Sequence, residues 1–171
     1  ILMQSGLFTK EYQSGTLVLT LTKGLERYKV VFAKTAVLLG LWSVYYWMCY
    51  AITYCYNDIY WENSIASHLG FAAMCWWLVG ILVIAFMVLF SALMDSNTAV
   101  PTCTGGAFLA VYLLSLLPKV KEYTPAMLMS SSVLLTGGVE VDIYYKAIMI
   151  AIVMSIAAVA LSIPVMNKRK V

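Results

Sequence analysis

Residues 70–94 read GFAAMCWWLVGILVIAFMVLFSALM, a run that contains no Asp, Glu, Lys or Arg. A helix needs about 20 consecutive apolar residues to cross the roughly 30 Å hydrocarbon core of a bilayer. The run is long enough for one crossing, and every backbone polar group can be satisfied inside a helix. It therefore predicts a membrane-spanning helix.

Three further windows lack charged residues, namely residues 35–57, 96–118 and 147–167. Over the whole chain of 171 residues, 63% are hydrophobic and 11% are charged, whereas a soluble domain carries about 25% charged residues. This composition excludes a soluble domain, and no basic patch suggests nucleic-acid binding. We predict an all-α, polytopic helical membrane protein embedded in the lipid bilayer. Its four spans are expected near residues 30–54, 70–94, 99–117 and 147–165.

The basic residues cluster toward the two ends of the chain. Those before the first charge-free window, residues 35–57, are Lys10, Lys23, Arg27, Lys29 and Lys34, and those after the last window are Lys168, Arg169 and Lys170. Cytoplasmic loops are enriched in Lys and Arg, and four spans place both ends on one side. Lys119, Lys121 and Lys146 weaken this pattern without reversing it. We expect a multi-pass protein of the cell membrane with both ends in the cytoplasm.

The sequence offers no catalytic, cofactor or metal site. Its four cysteines form no CxxC pair, and His68, in the loop after the first span, is the only histidine. Every Asp and Glu lies outside the predicted spans, so no buried carboxylate suggests ion-driven transport. We predict that the chain is not an enzyme, and that any energy it uses comes from another chain.

The last span carries a face of small residues. Ala147, Ala151 and Ser155 recur every four residues, and Ala158 and Ser162 repeat the spacing. Small residues let helix backbones approach closely in a membrane. This face is predicted to pack against another helix.

Aromatic side chains crowd the outer half of the first span. Trp42, Tyr46 and Tyr50 recur every four residues and share one helix face. One interpretation is ordinary packing with an interfacial aromatic belt. The other is an aromatic lining for a transported amphipathic molecule.

The third span contains PTCTGG at residues 101–106, which predicts an early interruption of the helix. Irregular backbone is tolerated at membrane depth where it lines a cavity. Thr102, Thr104, Gly105 and Gly106 are therefore candidates for a translocation path. The alternative is a close helix–helix contact through small residues.

Two segments outside the spans are predicted to lie at the membrane interface. Leu17, Leu21 and Leu25 recur every four residues, which predicts an amphipathic helix within a cytoplasmic segment of residues 1–29, ahead of a transmembrane domain of residues 30–171. Residues 119–145 form the longest connection, and they are expected to form a re-entrant or surface-lying helical loop on the outer side.

The stretch KEYQSGTLVLTLTKGLERYKVVFAK, residues 10–34, resembles the cytoplasmic signature of ABC-2 type transporter permeases. That signature is an acidic residue, then Gly-Thr-Leu, a leucine-rich stretch, a turn with Thr, an Arg and a Lys. The matching residues are Glu11, Gly15, Thr16, Leu17, Leu19, Leu21, Thr22, Lys23, Gly24, Arg27 and Lys34. The family usually has Pro where this chain has Gly24.

The resemblance implies a function for this stretch. In the family it is a coupling helix that docks on a separate ATP-hydrolysing subunit, and the permeases have six spans and pair in the membrane. It implies an exporter subunit with two further spans upstream of residue 1. The implied coupling residues are Glu11, Gly15, Thr16, Leu17, Leu21, Arg27 and Lys34. Three alternatives remain: the stretch only sets topology; the chain is a stand-alone four-span protein, of immunity or scaffold type, with no ATPase partner; or it is a membrane-embedded enzyme.

Overall fold

The computed structural model describes residues 27–61, 68–94, 96, 98–117, 123–130 and 141–168, and this part of the chain contains no strand. Within these described residues, four α-helices follow one another: α1 is Arg27–Trp61, α2 is Leu69–Leu93, α3 is Ala99–Leu114 and α4 is Asp142–Lys168. A short 3-10 helix, Pro125–Ser130, lies between α3 and α4. The predicted all-helical class is confirmed.

Three of the helices contain stretches long and apolar enough to cross a membrane: Val31–Tyr60, Leu69–Leu93 and Asp142–Val165. The helix α3 has 16 residues, a rise of about 24 Å, which is less than the roughly 30 Å core. Two overlapping hydrogen-bonded turns follow α3, because the backbone N–H groups of Leu116 and Leu117 each donate to the carbonyl three residues earlier.

The helix α1 is longer than the predicted span of residues 30–54. It has 35 residues and so extends about 52 Å, enough to cross the core and both headgroup regions. No proline interrupts it, and its last turns carry Asn57 and Asp58, which suit the polar headgroup layer. Residues 29 and 30, where the cytoplasmic segment was expected to end and the transmembrane domain to begin, therefore lie inside one continuous helix.

The central helix of the bundle is α2, which contacts α1, α3, α4 and the 3-10 helix, most extensively α4. The small residues of α4 make this close packing possible, because Ala147 and Ala151 are fully buried and Ser155 nearly so. Ala147 and Ala151 belong to one core cluster with Cys75 of α2 and Leu128 of the 3-10 helix. The predicted packing face of the last span is thus confirmed.

The 3-10 helix lies against α2 and α4, and Pro125, Ala126, Met127 and Leu128 are buried. The hydroxyl of Tyr144 in α4 donates a hydrogen bond of 3.2 Å to the Ser130 carbonyl. This part of the long connection is therefore enclosed by helices rather than lying on the surface. Residues 119–122 and 131–140 of the connection lie outside the described residues.

The interruption predicted at residues 101–106 does not occur, because α3 is continuous from Ala99 to Leu114. Pro101 falls in the first turn, where its missing N–H would have no helical partner. The hydroxyls of Thr102 and Thr104 each donate a 2.8 Å hydrogen bond to the carbonyl four residues earlier. These local bonds satisfy the polar side chains without breaking the helix.

Candidate functional site

A cleft of about 590 Å³ lies between α1, α2 and α3, and Met129 of the 3-10 helix contributes to it. Four of the seven residues predicted to line a path are in its wall: Trp42 and Tyr46 from α1, and Thr104 and Gly105 from α3. The other three, Tyr50, Thr102 and Gly106, are not. The structure therefore brings the aromatic face and part of the small-residue stretch to one place.

Two aromatic side chains of α1 donate hydrogen bonds to backbone carbonyls of α2. The Tyr46 hydroxyl donates to the Ala73 carbonyl at 2.7 Å, and the Trp42 indole N–H donates to the Trp77 carbonyl at 3.3 Å. The two acceptors lie one helical turn apart on α2, so the two bonds fix both the distance and the register of the helices. Both residues also line the cleft.

A third polar contact runs in the opposite direction, from α2 to α1. The indole N–H of Trp77 donates to the Ser43 hydroxyl at 3.1 Å, and that hydroxyl donates to the Leu39 carbonyl at 2.8 Å. Hydrogen bonds between membrane helices typically contribute about 0.6 kcal/mol each. Together these contacts support the packing interpretation of the aromatic face, although its rings also line the cleft.

The indole ring of Trp42 in α1 lies against the backbone of Gly80 in α2. A Cβ at this position would overlap the indole ring of Trp42, so only glycine leaves room for the ring. Trp42 also packs against the cluster formed by Val31, Leu38, Ile84 and Val88. Gly80 thus sets the position of an aromatic wall of the cleft.

On the α3 side of the cleft, Thr104 and Gly105 differ in exposure. Thr104 is buried, and its hydroxyl is bonded to the Val100 carbonyl. Gly105 is exposed, and a Cβ added to it would meet no atom within 4 Å. The wall here includes the backbone of Gly105, with open space in front of it.

The lining contains no charged side chain. The polar heads of Trp42, Tyr46 and Thr104 are already engaged in hydrogen bonds, and the hydroxyl of Tyr45 has no partner among the described residues. A charged molecule would lose hydration in this cleft without an oppositely charged side chain to compensate. The site is therefore suited to an uncharged, largely apolar molecule.

Sequence reasoning missed Gly80, Trp76, Phe108 and Met129, which also line the cleft. Only Gly80 carried a usable signal, because it is a lone glycine in the middle of an apolar run. Trp76 and Phe108 are ordinary membrane-helix residues. The place of Met129 depends on how the 3-10 helix folds back, which no local pattern specifies.

A second cavity, of about 500 Å³, adjoins the end of the bundle at which α1 and α3 finish and α2 and α4 begin, which we call the distal end. Its wall includes Tyr112 and Ser115 at the end of α3, and Met127 of the 3-10 helix. Trp76 and Met129 line this distal cavity as well as the cleft.

Most of the predicted coupling residues, Glu11, Gly15, Thr16, Leu17 and Leu21, lie outside the described residues. Arg27 is the first residue of α1, and Lys34 lies about two turns further along the same helix, half-buried. Among the residues that the structure describes, no group of three or more His, Cys, Asp or Glu could hold a metal ion.

Comparison with known proteins gives one match. A family model described as ABC-2 family transporter protein matches residues 1–125. No curated protein and no solved structure matches the chain. The matched region takes in the coupling stretch and α1, α2 and α3, well over half of the 171 residues. With its apolar helices and the signature at residues 10–34, the chain belongs to the ABC-2 family of transporter proteins.

Proposed function

We propose that this chain is a membrane subunit of an ABC exporter whose energy comes from ATP hydrolysis by a separate subunit. The observation that carries the proposal is the family match over residues 1–125, which includes the coupling stretch. These 171 residues contain no phosphate-binding loop of the GxxxxGK[ST] type. The resemblance of residues 10–34 to a coupling segment supports hydrolysis by a separate subunit. The chain itself would transmit motion rather than catalyse.

The continuity of α1 supports a mechanical role for the coupling stretch. The helix begins at Arg27, within the stretch of residues 10–34, and runs without interruption to Trp61. Trp42 is 15 residues from Arg27, or about 22 Å along the axis. A displacement of the coupling stretch by the ATPase would tilt α1 as a rigid rod, and the hydrogen bonds of Trp42 and Tyr46 would carry the tilt to α2.

The cleft between α1, α2 and α3 is the proposed translocation path within one subunit. Tilting α1 against α2 would change the separation of its walls and so its openness to either side. Two such subunits would pair, with both ends of the described chain on the cytoplasmic side. The uncharged lining supports an apolar or amphipathic substrate rather than an ion.

Purification of the tagged chain from its native membranes in a mild detergent tests the proposal. We expect a stoichiometric partner that contains a phosphate-binding loop, and ATP hydrolysis in the eluate that is abolished when that loop's lysine is replaced. A monodisperse chain without such a partner or activity would contradict the proposal and favour a stand-alone four-span protein of immunity or scaffold type.

A further inference from the structure

A groove of about 460 Å³ runs between α1 and α4 and has α2 at its base. It shares no lining residue with the cleft or the distal cavity. Ala85 of α2 is buried in it, whereas Phe32 of α1 and Ile156 of α4 are 70% and 65% exposed. The groove is therefore accessible from outside the bundle, between these two helices.

Hydrocarbon side chains make up nearly all of the groove, since nine of its eleven lining residues are Ala, Val, Ile, Leu or Phe. The other two have hydroxyls that are satisfied locally. That of Thr35 donates to the Val31 carbonyl at 2.8 Å, and that of Ser155 donates to the carbonyl four residues earlier at 2.7 Å. The lining lies within the three stretches that can span a membrane. An occupant of the groove is therefore apolar and lies at hydrocarbon depth.

The groove is too narrow for another helix. Residues of α1 and α4 approach each other within 8 Å, measured between Cα atoms. An α-helix with its side chains is about 10–12 Å across, so it cannot enter between α1 and α4 as far as α2. An extended hydrocarbon chain has no side chains and can lie in such a space.

Basic residues lie beyond one end of the groove. It occupies the part of the bundle toward the end where α1 begins at Arg27 and α4 ends at Lys168, which we call the basic end. Lys29 is exposed and precedes Phe32 by three residues and Ala36 by seven, so it continues the groove face of α1 by one turn. In the sequence Arg169 and Lys170 follow α4, against two acidic residues beside the helix ends, Glu26 and Asp95. An apolar groove thus leads to an excess of positive charge.

We infer that the groove holds one acyl chain of an anionic phospholipid whose phosphate is bound at the basic end by Lys29. Basic residues beside a membrane attract anionic headgroups. An ammonium group has three N–H donors, so Lys29 can bind a phosphate oxygen and keep a contact within the chain. The acyl chain contacts α1, α2 and α4 together, and it acts as a wedge that sets the distance between α1 and α4.

Native mass spectrometry of the full-length chain in a mild detergent tests this site. The probes are palmitoyl-oleoyl phosphatidylglycerol, which is anionic, and phosphatidylcholine with the same acyl chains, which is zwitterionic. We expect the first phosphatidylglycerol to bind about fivefold more tightly than phosphatidylcholine, the contribution typical of one basic residue at an anionic surface. Inorganic phosphate should not displace it, because the acyl chain supplies most of the contact.

Ala36→Phe and Ala160→Phe should fill the groove from its two sides, and each should weaken binding of both lipids about tenfold, because the acyl chain loses its contacts. Both alanines are exposed, so the added rings do not overpack the core. The matched controls are Ala33→Phe and Ala157→Phe, since these alanines are also exposed, lie three residues away on the same helices and do not line the groove. Their affinities should stay within about twofold of the parent.

Lys29→Gln should abolish the preference for phosphatidylglycerol over phosphatidylcholine and leave phosphatidylcholine binding unchanged. Lys146→Gln is the matched control, because it removes the same charge from an exposed position near the start of α4, at the distal end. It should keep the preference.

Equal affinity of the parent chain for the two lipids would overturn the inference, as would unchanged phosphatidylglycerol binding in both groove-filling variants. The same spectra report dimers of the chain. If Ala36→Phe and Ala160→Phe abolish a dimer and spare lipid binding, the groove is a contact between copies and the lipid site is refuted. None of these measurements needs ATP or an ATPase, so their failure leaves the proposed function standing, and absence of an ATPase partner leaves the lipid result unaffected.

Discussion

The indole ring of Trp42 occupies the space that a side chain on Gly80 would need, so α1 and α2 meet as a ring against bare backbone. The same ring donates a hydrogen bond to the Trp77 carbonyl three residues earlier on α2. One residue of α1 thus fixes both the distance and the register of the helix pair. Trp42 and Gly80 also line the cleft. The same two residues therefore pack α1 against α2 and form part of the wall of the proposed path.

Gly80→Ala should destabilise the α1–α2 pair, because the added methyl group would displace the Trp42 ring. Overpacking of this kind typically costs about 1–3 kcal/mol. The measurement is unfolding in mixed detergent micelles titrated with sodium dodecyl sulfate. Gly40→Ala in α1 is the matched control, since a Cβ there meets no atom within 4 Å. An equal loss of stability in both variants would contradict the role of Gly80.

Tyr46→Phe should remove the 2.7 Å hydrogen bond to the Ala73 carbonyl while keeping the ring. The expected loss of unfolding free energy is about 0.6 kcal/mol, and at most roughly 1.7 kcal/mol, because the carbonyl keeps its helical partner. Tyr45→Phe, next in sequence and 63% exposed, should change stability by less. The same micelle titration compares the two. If Tyr45→Phe proves the more costly, the hydrogen bond does not stabilise the pair.

Gly105→Trp should fill the cleft and block transport, because residue 105 lines the cleft and has open space in front of it. Gly106→Trp is a stringent control, since residue 106 also has open space but does not line the cleft. The measurement is the rise in ATP hydrolysis that neutral, cationic and anionic amphipathic dyes produce in the purified complex. We expect neutral dyes to act on the wild type, and their effect to fall at least tenfold in Gly105→Trp only.

A similar loss of dye-stimulated ATP hydrolysis in Gly106→Trp would mean that added bulk anywhere on α3 disturbs the bundle. That result would contradict the proposal that the cleft is the translocation path. Stimulation by anionic or cationic dyes alone would contradict the assignment of an uncharged substrate, which rests on a lining without charged side chains.

Orientation can be tested with two engineered cysteines. In a chain without its native cysteines, Asn63→Cys should react from outside with an impermeant thiol reagent, and Asn167→Cys should not. The reason is the segregation of Lys and Arg to the two ends of the chain, together with the basic-free loop around residue 63. The reverse labelling pattern would place the two ends outside the cell.

The sequence was sufficient for the helical class and for the small-residue packing face of α4, because both depend on hydropathy and periodicity within one segment. It failed at residues 101–106, where Pro101 falls in a first turn and the threonines bond within the helix, so the expected break is absent. The cleft was predicted only in part. Trp42 and Thr104 meet there because α2 lies between their helices, and that arrangement depends on tertiary packing around Gly80 rather than on local pattern.

The central claim is that residues 10–27 couple this chain to an ATPase. Gly15→Val should distort the coupling segment, because glycine adopts backbone angles that a β-branched residue resists. Glu11→Lys should replace a carboxylate with an opposite charge, and loss of a hydrogen bond to a charged group costs about 1.5–3 kcal/mol. Lys170→Glu, a charge reversal of equal size in the basic tail, is the control.

The decisive measurement is the amount of ATPase subunit recovered with each variant, together with ATP hydrolysis of the recovered complex, at equal amounts of chain in the membrane. We predict a tenfold to hundredfold weaker association for Glu11→Lys, as about 1.4 kcal/mol corresponds to a factor of ten. A comparable loss is expected for Gly15→Val, and none for Lys170→Glu. Full association and full activity in both coupling variants would contradict the claim and reduce residues 10–27 to a segment that only sets topology.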